Sequence, residues 1–169
     1  MPTVNLFPSS TVSNNWPEQD GTGSAHTLLA SASDSGIKTP DQNDSCIVDL
    51  DNSPAASAGT INSIQIKTLG YVFLTRSASF DIRIQLIDGG TGSVYYNEDV
   101  TIAFNGYTPT AADGTVRTTS DGSNAWTGAQ LNSLRLGITT DPADPPGISR
   151  AQVTYAYVVV DYTAASSGY

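Results

Sequence analysis

Phe80-Asp81-Ile82-Arg83-Ile84-Gln85-Leu86 alternates apolar and polar side chains without a break. A period of two belongs to a β-strand, whose successive side chains point to opposite faces. The stretch predicts a buried face of Phe80, Ile82, Ile84 and Leu86 and a wet face of Asp81, Arg83 and Gln85. Asp88-Gly89-Gly90-Thr91-Gly92 follows, then Val94-Tyr95-Tyr96, so the strand is expected to turn back as a hairpin.

Working outward, Ile64 and Ile66, then Tyr71 and Phe73, alternate on either side of Gly70, which predicts a bulge or bend at the glycine. Ser45-Cys46-Ile47-Val48-Asp49-Leu50 reads as a strand, His26-Thr27-Leu28-Leu29-Ala30 as a short one, and the run from Ser53 to Gly59 as a loop. Asn105-Gly106, Asp113-Gly114 and Asp121-Gly122 are turn dipeptides that set off Val100–Phe104 and Val116–Thr119 as short strands. Leu134–Ile138 resumes the alternation, and Val153–Val159 closes the series after a Pro-rich loop at 141–147. Trp126–Asn132 is the one helical candidate, two turns at most, with Thr127 as its cap.

Many short strands without intervening long helices predict an all-β fold, a jelly-roll-like antiparallel β-sandwich with one short helix. The domain is expected over residues 25–163, after an extended arm or loosely paired strand over 1–24 and before a tail over 164–169. Leu6, Phe7 and Trp16 are apolar anchors on this otherwise polar arm, which makes them candidate interface residues. Removal of residues 1–18 is then expected to leave the sandwich folded.

At 169 residues the chain can bury a sizeable core. Charged residues make up only 14% of it, so Ser, Thr, Asn, Gln and Gly must supply most of the polar surface. The net charge is −9, concentrated in residues 1–60, where Lys38 is the lone basic residue. Such a surface repels phosphate, so no nucleic-acid partner and no anionic membrane is expected. A neutral or basic protein surface is the natural partner. Val158-Val159-Val160 is too short to span a bilayer, and Met1-Pro2-Thr3-Val4-Asn5 lacks the basic and apolar regions of a signal peptide. The expectation is a soluble protein made in a cytoplasm.

Residues able to carry chemistry are few. His26 is the single histidine and stands in no nucleophile motif, so a structural role is expected and no enzymatic activity. Cys46 is the single cysteine, which rules out an intramolecular disulfide and reads as a small buried residue. Asp49, Asp51 and Asn52 gather oxygens, but their spacing fits no EF-hand, and no metal or cofactor is expected. Glu98 and Asp99 are adjacent and should face opposite ways. Trp16, Tyr95, Tyr96, Tyr107 and Trp126 would stack on sugar rings if exposed together. The competing reading packs Trp126 and the closing-strand tyrosines into the core. Asn43-Asp44-Ser45 matches a glycosylation sequon, which carries no weight without an export signal.

The stretch from Trp126 to Ile138, an aromatic-Thr segment, a short helical turn, then a strand with Leu and Gly, resembles one found in small β-sandwich accessory virion proteins of tailed phages. Phe80–Leu86, the Gly89–Gly92 hairpin, the Thr-rich Thr115–Ser120, Asn15-Trp16 and the Asp/Ser-rich Asp34–Ser45 add to the resemblance, which covers about residues 14–140. It implies a capsid decoration (cement) or head-fibre protein located in the virion. The major capsid protein would be its partner and a homotrimer its assembly, since symmetric shells favour closed oligomers. It carries over no site residues. The alternative is a carbohydrate-binding module of the same fold class.

Overall fold

The computed structural model describes residues 1–16, 24–30, 37–38, 45–72, 79–103, 105, 108–140 and 151–166. Expectations for Phe73, the Asn43–Ser45 sequon, Tyr107 and the loop at 141–147 fall wholly or partly outside those residues.

Among the described residues the chain forms ten strands and three short helices. The strands are β1 (Thr3–Leu6), β2 (Pro8–Asn14), β3 (Ile37–Lys38), β4 (Ser45–Leu50), β5 (Thr60–Val72), β6 (Ser79–Asp88), β7 (Val94–Ala103), β8 (Thr110–Ala111), β9 (Leu134–Thr140) and β10 (Ala151–Thr163). The helices are α1 (Ala25–Leu29), α2 (Pro54–Ala58) and α3 (Gly128–Asn132). One sheet runs β1-β10-β5-β8, with β3 also paired to β10; the other runs β2-β4-β9-β6-β7. All pairings are antiparallel. From β3 onward the chain alternates between the sheets, except where β6 and β7 form a hairpin. That is the strand order of a jelly roll.

The alternation of β6 is realised: Phe80, Ile82, Ile84 and Leu86 are buried, while Asp81 is exposed and Arg83 and Gln85 are half-buried. They meet Ile64, Ile66, Leu136, Ile138, Val158 and Val160 in one core. The hairpin turns at Gly92, whose φ of +76° lies in the left-handed region that favours glycine. Val94–Tyr96 and Val100–Ala103 belong to a single strand, β7. Val116–Thr119 forms isolated bridges, Ile64 with Arg117 and Thr119 with Ala125, rather than a strand.

Several expectations are corrected. Residues 3–14 are not an arm outside the sandwich. β1 pairs with β10 and β2 with β4, so the N-terminal segment adds an edge strand to each sheet. The crossing between sheets is clamped where the Phe7 N–H donates to Asp51 Oδ1 at 2.7 Å and the Asp51 N–H donates to the Phe7 carbonyl at 2.8 Å. Residues 25–29 form a helix, not a strand. The Thr27 hydroxyl reaches the Ser24 N–H at 3.3 Å, occupying a donor that the helix start leaves open. Pro54–Ala58 is a helix, not a loop. Pro54 sits in its first turn, where no N–H is needed, and Ser53 caps it by accepting from the Ala56 N–H at 3.4 Å. The third helix begins as expected, with Thr127 accepting from the Gln130 N–H at 3.2 Å. The irregularity expected at Gly70 is present, but its extra residue is not on the glycine's own strand. It lies opposite, where Thr154 is the extra residue between the pairs Val153–Gly70 and Tyr155–Leu69.

Candidate functional site

All the candidates but Tyr107 lie among the described residues. Leu6 and Trp16 are 1% and 2% exposed and belong to the core, so they offer no surface for a partner. They are buried because the N-terminal segment is built into both sheets. Phe7, the third anchor, is only half-buried. His26 Nδ1 lies 3.0 Å from Thr11 Oγ1, which joins α1 to β2, and 2.9 Å from Ser24 Oγ at the start of its own helix. Cys46 is buried.

The acidic candidates hold strands together. Asp49 accepts from Arg135 Nε at 2.6 Å and from Ser10 Oγ at 2.8 Å, joining β9 and β2 across β4. Asp51 is committed to the Phe7 clamp. Among the described residues no group of three or more His, Cys, Asp or Glu side chains is placed to hold a metal ion. Glu98 and Asp99 do face opposite ways. Asp99 pairs with Arg83 across the hairpin at 2.8 Å, and Glu98 turns to Arg117 at 2.5 Å.

Trp126 packs as the competing reading requires: it is 5% exposed and donates its indole N–H to the Arg117 carbonyl at 3.1 Å. Tyr95 and Tyr96 both approach it, with ring centroids 5.4 Å and 6.2 Å away. Adjacent strand residues ordinarily diverge. Here Leu86 pairs with Tyr96 and Ile87 with Val94, which leaves Tyr95 as the extra residue of a bulge. The sugar platform that Trp16, Tyr95, Tyr96, Tyr107 and Trp126 would make if exposed together is not shown: both tryptophans are buried, and Tyr107 lies outside the described residues.

A different aromatic group does reach the surface. Beyond the Thr154 bulge, β10 turns Ala156, Val158 and Val160 inward and Tyr155 and Tyr157 outward, so these tyrosines do not pack the core. Their ring centroids are 4.8 Å apart, and Phe7 stands 6.2 Å from Tyr155 and 5.6 Å from Tyr157. Across the sheet Tyr155 is in register with Leu69, and Tyr157 with Lys67. Lys67 Nζ pairs with Asp113 at 2.7 Å, both side chains about one-third exposed. Together they border a cleft of about 170 Å³ whose wall also includes Thr68 and Ala111. Partial burial pushes the Tyr155 phenol up from its ordinary value, and the neighbouring Tyr157 phenol adds to the effect. Pattern reading missed this group because β10 is apolar on both faces, so alternation alone does not say which side is core.

The fold and this site define a jelly-roll β-sandwich with an aromatic strip on the outer face of one sheet. No protein-family model and no curated protein matches the chain. Among solved structures it is similar to an arabinose-bound α-L-arabinofuranosidase, at 14% identity and a TM-score of 0.48, over 89% of this chain and 22% of that one. This chain thus spans less than a quarter of that enzyme's length. No helix among the described residues is long and apolar enough to cross a membrane.

Proposed function

We propose that this chain is a non-catalytic accessory protein of a tailed-phage virion, a decoration (cement) protein that docks on the major capsid protein as a homotrimer. The observation that carries the reading is the work done by the Trp126–Ile138 stretch on which the virion resemblance rests. Trp126 is buried against Tyr95 and Tyr96, Thr127 caps α3, and Leu131, Leu134 and Leu136 are core residues. Side chains so engaged favour a rigid body over a reaction centre. The net charge of −9 on a surface otherwise poor in charge suits solubility at high copy number. With Leu6 and Trp16 in the core, the grip on a shell falls to outward-facing residues, among them Phe7.

The test is to mix the purified protein with undecorated capsids and sediment them. Co-sedimentation at a fixed copy number, with added density at symmetric shell positions in micrographs, is the expected result. A protein that stays in the supernatant at every ratio overturns the reading.

A second reading, a carbohydrate-binding module, is favoured by one observation, the outward aromatic strip of Phe7, Tyr155 and Tyr157.

A further inference from the structure

We infer that the cleft between the Tyr155–Tyr157 pair and the Lys67–Asp113 pair binds one neutral sugar ring of a glycan. This rests on the carbohydrate-binding reading and gives it a site, a ligand class and a binding mode.

The first argument is chemical. A pyranose presents C–H groups on its faces and hydroxyls around its rim. It needs an apolar ring surface beside groups that both donate and accept hydrogen bonds. Tyr155 and Tyr157 form a stepped aromatic surface, their planes 38° apart, and Leu69 lies in register beside Tyr155. At the far side stand an ammonium donor and a carboxylate acceptor, already 2.7 Å apart and accessible to solvent. No hydrogen bond among the described residues engages the hydroxyl of either tyrosine, so both remain available to a ligand.

The second argument is geometric. The tyrosines and Lys67 sit on the long β5–β10 pairing, which runs from Thr60–Thr163 to Val72–Ala151. A site on paired strands is ordered before the ligand arrives, which lowers the entropy lost on binding. The cleft of about 170 Å³ has room for a single ring and not for a drug-sized ligand, which takes roughly 300–1,000 Å³.

Charge and size decide among occupants. With a net charge of −9, an acidic polysaccharide is repelled over the whole approach. The apolar part of the face is Phe7, Leu69, Tyr155 and Tyr157, all half-buried, a small patch for the apolar centre of an interface that buries about 800 Å² a side. A neutral sugar meets neither obstacle.

Affinity electrophoresis of the full chain through gels cast with mannan, galactan, xylan or laminarin tests this, with alginate as the acidic control. Retardation by at least one neutral glycan is expected, with about tenfold weaker binding for Tyr155→Ala and Tyr157→Ala. Tyr157→Phe keeps the ring and should bind within a few-fold of the parent. Thermal melts of all three variants guard against misfolding. If the parent is retarded and the two alanine variants match it, this cleft is not the site, although a carbohydrate-binding module remains. If no neutral glycan retards the parent, the cleft and the reading it rests on fall together.

Discussion

Gly128 lies against Ser57 so closely that a Cβ on Gly128 would stand 2.0 Å from the Ser57 carbonyl oxygen. The first turn of α3 thus packs backbone to backbone on α2, and together these helices cap one end of the sandwich. Gly128→Ala must push the two apart, because the obstructing atom is backbone and has no rotamer to change. The variant is expected to lose about 1–3 kcal/mol of stability in urea denaturation. A Gly128→Ala protein as stable as its parent would show that α2 gives way freely.

The N-terminal segment yields a prediction opposite to the one its composition invites. Deleting residues 1–16 removes β1 from one sheet, β2 from the other, and the buried Leu6 and Trp16. Loss of the Leu6 side chain alone is expected to remove about 2–5 kcal/mol, a large share of a domain's total stability. The truncated chain should therefore fail to melt cooperatively. A sharp unfolding transition near the parent's would show that the segment is an appendage after all.

The contrast between readable and unreadable elements has a physical cause. β6 was legible because it is buried on one face and wet on the other, so its pattern reports its surroundings. β2 is an edge strand with exposed Ser9, Ser10 and Ser13, and what makes it a strand is backbone pairing to β4, of which its side chains carry no trace. α1 is five residues long, too short for a 3.6-residue period to show itself in His26-Thr27-Leu28-Leu29. Ser53-Pro54 ahead of α2 was a usable signal, a cap followed by proline in the first turn. The bulge at Tyr95 depends on how two strands are registered, and a single segment does not contain that information. The same holds for the site. Tyr155 and Tyr157 were visible as residues, but their outward direction was fixed only by β5 and the Thr154 bulge.

Acid should weaken the second sheet through its ion pairs. The Arg83 guanidinium holds the Asp99 carboxyl below the ordinary carboxylate range and outweighs the slight burial that opposes it. Burial acts to raise Asp49, but hydrogen bonds from Arg135 and Ser10, with the charge of Arg135, bring it below its ordinary value too. A carboxyl whose folded pKa is depressed stabilises fully above its unfolded pKa, about 3.9 for Asp, and that stability is lost as pH falls through the folded value. Melting temperature should therefore drop below about pH 4. Arg83→Gln should flatten the part of that slope due to Asp99. An unchanged slope in the variant would mean that other groups govern the acid limb.

Glu98 and Arg117 join the crossing segment after β8 to the edge strand β7, and their coupling is measurable. Glu98 Oε1 accepts from the Thr115 N–H at 2.8 Å and from the Thr115 hydroxyl at 3.0 Å, and Oε2 accepts from Arg117 at 2.5 Å. The guanidinium also lies over the Tyr96 ring, 4.5 Å from its centroid. Both side chains are about one-quarter exposed, so the pair stands between a surface salt bridge and a buried one. Glu98→Ala removes three acceptor contacts at once and should cost about 1–3 kcal/mol. Arg117→Ala loses the ion pair and the ring contact but leaves Glu98 bonded to Thr115, so a smaller loss is expected. In the double variant the two losses should fall short of additive by about 1 kcal/mol, the energy that the pair itself contributes. Equilibrium denaturation of the four proteins measures the difference. Strict additivity would mean that Glu98 acts through Thr115 alone and that Arg117 is held by Tyr96 rather than by its counter-ion.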